Sequence, residues 1–241
     1  SQTEWDNADA LVKSDVSTVE QLKNAINSLY SNVSLPTPGK FYRFKSKLGR
    51  YINASSNGNQ FAMATLNDNT YDNASVFYLT SDSKFLNFKS GTYLKDTRVQ
   101  GNLGDGGNVI TFLPSEGRNY GFLTLKSDYT GGGQYLYDNT TILDRNSSYA
   151  TDKCDWTVEE VGWLPVPMNK TVGYATLFSP VQLALSYNRV KAYAVSEVTS
   201  SSVKLQSLDN IPANVGVILK LVDNSAVDAR NCVFLQVTGS G

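Results

Sequence analysis

Apolar and polar residues alternate with a period of two in three related stretches: KFYRFKS at Lys40–Ser46, KFLNFKS at Lys84–Ser90 and GFLTLKS at Gly121–Ser127. The third and fifth positions of each are large and apolar (Tyr42 and Phe44, Leu86 and Phe88, Leu123 and Leu125). The residue between them is polar: Arg43, Asn87 and Thr124. That pattern predicts a β-strand with one buried face. Lys45, Lys89 and Lys126 then point outward, and Ser46, Ser90 and Ser127 open turns of unequal length. A new strand starts at Tyr51-Ile52, Tyr93-Leu94 and Tyr135-Leu136, where successive tyrosines are 42 residues apart (93 − 51 and 135 − 93). A fixed period of this size marks a repeat architecture.

Each unit closes on an apolar run, at Val76–Leu79, Val109–Leu113 and Trp156–Val158. Weaker third strands lie between, at Phe61–Ala64, Val99-Gln100 and Ile142-Leu143. Four strands in each of three units give twelve between Gly39 and Val161. No unit buries its apolar face alone, so the three are expected to close on one interior, with Phe44, Phe88 and Leu125 in equivalent places. The flanks have other textures. Residues 1–36 read as a helical segment: Ser17-Thr18-Val19-Glu20 is a capping box, and Val19, Leu22, Ala25, Ile26, Leu29 and Tyr30 share one face. Pro36 and Pro38 end it. Residues 163–241 carry short alternating strands separated by turn signals, as in a small antiparallel β domain. The predicted chain is therefore all-β, in segments 1–36, 37–162 and 163–241, and Val237–Gly241 reads as the start of a linker.

Composition narrows the function. The net charge is −1 and the basic residues are scattered, so no electrostatic footprint for nucleic acid is visible. No apolar run is long enough to span a membrane. The chain has no His, which removes the commonest general base, the Ser-His-Asp and Cys-His arrangements, and imidazole metal ligands. Its two cysteines, Cys154 and Cys232, form no zinc pattern; they either bridge the two halves or remain buried thiols. No cofactor motif is present: Gly104–Gly107 lacks the Lys-Ser/Thr of a phosphate loop and the spaced carboxylates of a calcium loop.

The repeat resembles the β-trefoil of the ricin-type or fascin-like kind, through its three units with an early Tyr-aliphatic pair and a late aromatic. Ricin-type units end in Gln-x-Trp; here the places read Ser75-Val76-Phe77, Asn108-Val109-Ile110 and Cys154-Asp155-Trp156. The stretches GYATLFSPVQL, VKAYAV and IPANVGVIL, between Gly173 and Val237, resemble a module of secreted and surface proteins of gut Bacteroidetes that often neighbours glycan-binding or glycan-degrading domains. These resemblances imply an exported, lectin-like protein.

Sugar binding needs an aromatic face against C–H groups and Asp, Asn or Gln to fix hydroxyls. The loops supply both: Asp68, Tyr71 and Asn73 in the first unit, Asp96 and Arg98 in the second, Asp138, Asp144 and Tyr149 in the third. The expected function is a non-catalytic glycan-binding or adhesive module, secreted or on a bacterial cell surface. The alternatives are a protein-interaction module and, third, a glycoside hydrolase component, which needs only two acids across the cleaved bond.

Overall fold

A computed structural model describes residues 35–54, 61–66, 73–96, 101–104, 106–115, 121–130, 134–185, 189–223 and 231–239. Isolated positions besides these are 6, 7, 9, 10, 18, 19, 21, 225, 227 and 228. The described elements are strands and two short 3-10 turns.

The first twelve strands form one sheet: β1 (Phe41–Ser46), β2 (Tyr51–Ala54), β3 (Phe61–Ala64), β4 (Phe77–Leu79), β5 (Phe85–Asn87), β6 (Tyr93–Asp96), β7 (Gly101–Gly104), β8 (Ile110–Pro114), β9 (Leu123–Ser127), β10 (Tyr135–Asn139), β11 (Ile142–Asn146) and β12 (Asp155–Glu160). Seven of them, in the order β12-β9-β10-β11-β3-β2-β1, close into a barrel because β1 also pairs with β12, with Phe44 opposite Val158. Strands β4 to β7 extend from β1 as an arm, and β8 pairs with β9 outside the ring.

This closed barrel replaces the expected trefoil. The first unit gives the ring three strands, the third gives four, and the second gives none, so the copies are not equivalent. The reason is register. In the first and third copies the Ser backbone closes the turn: Ser46 N–H donates to the Arg50 carbonyl (2.7 Å) and Ser127 N–H to the Gln134 carbonyl (2.7 Å). In the second copy Asn87 does this, donating to the Thr92 carbonyl at 2.9 Å. The pairing is offset by three residues, an odd number, and an odd offset turns every side chain to the other face. Phe44 and Leu125 therefore share the barrel core with Phe85, while Phe88 packs against a different apolar cluster. The polar residues between the apolar positions are also buried. Arg43 lies over the Tyr51 ring, 3.9 Å from its centroid, and Asn87 Nδ2 donates to the Ala74 carbonyl (2.9 Å).

The barrel core holds Trp156, whose Nε1 donates to the Leu136 carbonyl (3.1 Å), and Phe44 set edge-on to Phe85 with centroids 4.6 Å apart. After Val161 the chain forms two four-stranded antiparallel sheets. One is β13 (Trp163–Pro167), β20 (Cys232–Val237), β15 (Leu183–Ala184) and β18 (Asn210–Ile211), in that order. The other is β14 (Tyr174–Ser179), β19 (Val215–Leu221), β16 (Val190–Val198) and β17 (Val203–Leu208). Their inner faces meet in one cluster, with Leu164, Leu183 and Leu235 from the first sheet and Leu177, Val217 and Leu219 from the second. Phe41, Val76 and Val161 join that cluster from the barrel side.

The helical N-terminal segment is likewise corrected in that no α-helical element stands among the described elements; helical backbone is described there only at the isolated positions 6, 7, 9, 10, 19 and 21. It was expected over residues 1–36, of which 1–34 lie almost wholly outside the described residues. Also described there is a reciprocal cap one residue later than expected. Thr18 N–H donates to Gln21 Oε1 (2.8 Å), and Gln21 N–H donates to Thr18 Oγ1 (3.2 Å).

Candidate functional site

The outer face of the β10–β11 hairpin gathers aromatic and polar groups. Tyr135 and Tyr137 are two apart on β10, so both leave the strand on the side away from the buried Leu136 and Asp138. Across the ladder Tyr137 faces Asp144 and Tyr135 faces Asn146. The chain then turns back through Ser147–Ala150 and sets Tyr149 edge-on to Tyr135, with centroids 5.2 Å apart at 61°. Tyr149 is 40% exposed, while Tyr135 and Tyr137 are half-buried. Lys153, in the 3-10 turn Asp152–Cys154, lies 5.1 Å from the Tyr137 ring centroid.

The Asp144 carboxylate is held in place. Oδ1 accepts from the Arg145 N–H (2.8 Å) and Oδ2 from Asn139 Nδ2 (3.3 Å). An ionised carboxylate has about four lone-pair sites, so acceptor capacity is left for a ligand hydroxyl. The result is an aromatic pair on a rigid hairpin, beside one oriented carboxylate, one carboxamide and one ammonium group. Such a face has the chemistry to stack on apolar C–H surfaces and to bond hydroxyls.

The sequence-predicted site residues that are described do not assemble into one place. Asp68 and Tyr71 lie outside the described residues. Asp96 ends β6 opposite Gly101. Asn73 opens the 3-10 turn Asn73–Ser75 and lines a groove of ≈460 Å³ between the barrel arm and the second half of the chain. Burial of the Tyr78 phenol in the wall of this groove pushes its pKa above the ordinary tyrosine value. Tyr149 and Asp144 belong to the hairpin face. Asp138 is fully buried and turned inward. Its carboxylate accepts from Ser46 Oγ (2.5 Å), the Thr140 N–H (3.0 Å) and Arg50 Nε (3.0 Å), and pairs with the second Arg50 amino group at 2.9 Å. It fastens β10 to the β1–β2 turn and presents nothing to a ligand.

Cys154 and Cys232 are buried thiols that form no disulfide, one before β12 in the barrel sheet and the other opening β20 in a different sheet. Among the described residues no three metal-ligating side chains come together, and no helix is long and apolar enough to cross a membrane. Sequence reasoning missed Tyr135, Tyr137, Asn146 and Lys153 as members of a site. The signal is Tyr-x-Tyr at strand spacing, which the repeat alone also explains for Tyr135.

No protein-family description matches the chain, and no curated protein matches it in sequence. Among solved structures it is similar to one described as "Structure and mode of action of a mosquitocidal holotoxin", at 12% identity and a TM-score of 0.41. The match covers 82% of this chain and 28% of that one, so this chain spans under a third of the length of the protein it resembles. A likeness of this size carries no argument about function.

Proposed function

We propose that this protein is a non-catalytic glycan-binding module, and that sugar docks on the outer face of the β10–β11 hairpin. The observation that carries the reading is the exposed Tyr149 ring set against Tyr135, with Asp144 and Asn146 beside the pair. One ring stacks on the apolar face of a pyranose while the carboxylate and carboxamide take its hydroxyls. Only a shallow area is buried, so affinity for a single sugar lies near the millimolar level, about −4 kcal/mol. Attachment to a glycan surface then depends on repeated contacts. The composition, rich in Asn, Ser, Thr, Gly and Tyr, supports an exported or surface-held protein. So does the resemblance of Gly173–Val237 to modules of secreted Bacteroidetes proteins.

A glycan array with the whole chain tests this, followed by titration of the best sugar by NMR. Tyr149→Ala should weaken binding about tenfold, the equivalent of ~1.4 kcal/mol, and leave the melting temperature nearly unchanged because the ring is partly exposed. An array that stays blank at millimolar sugar, or affinity untouched in Tyr149→Ala, rejects the site.

A further inference from the structure

A second surface, distant in sequence from the tyrosine face, has the chemistry of a peptide-binding edge. Among the described strands, β14 pairs on one side only, with β19. Leu221 N–H donates to the Gly173 carbonyl at 2.8 Å, which fixes the phase of this antiparallel ladder. Bonded pairs then fall at residues 175, 177 and 179, so the backbone N–H and C=O of Tyr174, Thr176 and Phe178 point away from β19. The same phase follows independently from the other side of β19, where Val222 N–H donates to the Arg189 carbonyl (2.7 Å).

The groove of ≈460 Å³ lies along this open edge. Thr176, Leu177 and Phe178 all line it, although successive side chains on a strand point to opposite faces. A groove touched by three consecutive residues runs beside the strand's edge, not over one of its faces. Its opposite wall is the barrel arm, with Tyr78, Leu86 and Phe88. Phe178 is 57% exposed at the rim. Among the described residues of the lining, Lys89 is the only charged one.

We propose that this groove takes an extended peptide from a protein partner, added to β14 as a fifth strand. The peptide's backbone bonds to Tyr174, Thr176 and Phe178. Its apolar side chains, at alternate positions, enter the wall formed by Tyr78, Leu86 and Phe88, and an acidic residue or a C-terminal carboxylate meets Lys89. Main-chain bonds supply affinity and the alternate pockets supply selectivity, as in other strand-addition complexes. The proposal is independent of glycan binding at the hairpin.

The test is selection of a displayed random heptapeptide library on the full chain, then affinity measurement of synthetic copies of the enriched peptides. Enriched sequences should alternate apolar residues and carry an acid. Methylating their alternate backbone nitrogens should abolish binding. Thr176→Pro, which removes a donor that no ladder bond uses, should weaken binding at least tenfold, and Lys89→Glu should do so for acidic peptides. Because Thr176→Pro is also able to disturb β14 itself, amide exchange on the unmodified chain provides a second reading: bound peptide should slow exchange at Tyr174, Thr176 and Phe178. No enrichment, or peptides that tolerate both N-methylation and Thr176→Pro without protecting those amides, overturns the proposal.

Discussion

Asp138 shows how one side chain's surroundings decide its role. An Asp two residues past an aliphatic strand position suggests a ligand contact when read from sequence. Here it is fully buried, and its oxygens are taken by Ser46, Arg50 and the Thr140 N–H. Arg50 remains partly exposed, so the pair is a buried carboxylate tied to a cation at the barrel surface. Removing one partner of such a pair leaves the other group desolvated without compensation. Asp138→Asn should therefore cost about 3 kcal/mol, measured as a lowered urea midpoint with an unchanged m-value. A loss under about 1 kcal/mol would mean that Arg50 finds water or another acceptor at little cost. Tyr149 behaves the opposite way: its ring is exposed, so its replacement should be felt in sugar binding and hardly in stability.

At the scale of the element, the turns carry the repeat more faithfully than the strands do. The three predicted Ser residues each accept from a backbone N–H in the following turn: Arg50 N–H to Ser46 Oγ (3.3 Å), Thr92 N–H to Ser90 Oγ (3.4 Å) and Tyr129 N–H to Ser127 Oγ (3.3 Å). Gly107 has a different constraint. Its φ is +50°, and a Cβ there would lie 2.8 Å from the Tyr93 Cβ, so only glycine lets that turn close on the strand. The β4–β5 turn is held electrostatically. Asp82 accepts from Lys84 Nζ (2.8 Å) and Thr80 Oγ1 (2.5 Å), and hydrogen bonding from Lys84 and then Thr80 holds its carboxyl below the usual aspartate range. A depressed folded-state pKa gives stability that is present above the unfolded pKa and is lost as pH falls through the folded one. Asp82→Asn should therefore flatten the acid side of the stability profile below about pH 4, with no change near pH 7 in the shape of that curve. An NMR titration should place the Asp82 midpoint below that of an unstructured Asp; a midpoint at the ordinary value would remove the turn's contribution. In the β16–β17 hairpin, an irregularity between Val195 and Glu197 keeps Val195 and Val198 on one face, with Val203 and Leu205 opposite them, all exposed.

For the whole molecule, the decisive residue is Phe41. It belongs to the barrel's first strand, yet its ring packs with Tyr78 (5.3 Å between centroids) and Phe88 (5.6 Å) inside the cluster that also contains the two four-stranded sheets. Val76 and Val161 join it there. The two halves thus share an apolar core and should unfold together. Calorimetry should show one transition for the unmodified chain. Phe41→Ala should cost about 3–5 kcal/mol and separate that transition into two. Two transitions in the unmodified chain would show that the shared cluster contributes little coupling.

Elements with a local cause were legible in the order of residues alone. Period-two alternation placed β1, β9 and the strands that open on Tyr51, Tyr93 and Tyr135, and the serine that ends each heptapeptide placed the turns. The tyrosine face was half legible: Asp144 and Tyr149 were read as ligand-binding candidates, but Tyr135 and Tyr137 were absorbed into the scaffold. The rest depended on which segments meet in the folded chain. Near-identical heptapeptides gave different registers, because a strand's pairing partner, not its composition, fixes which face is buried. With the second copy shifted by an odd number of residues, Phe88 left the barrel core and Phe85 entered it, and the ring closed with seven strands. The groove beside β14 depends on two segments about ninety residues apart in sequence meeting at a free edge, and no local pattern encodes which edge remains unpaired.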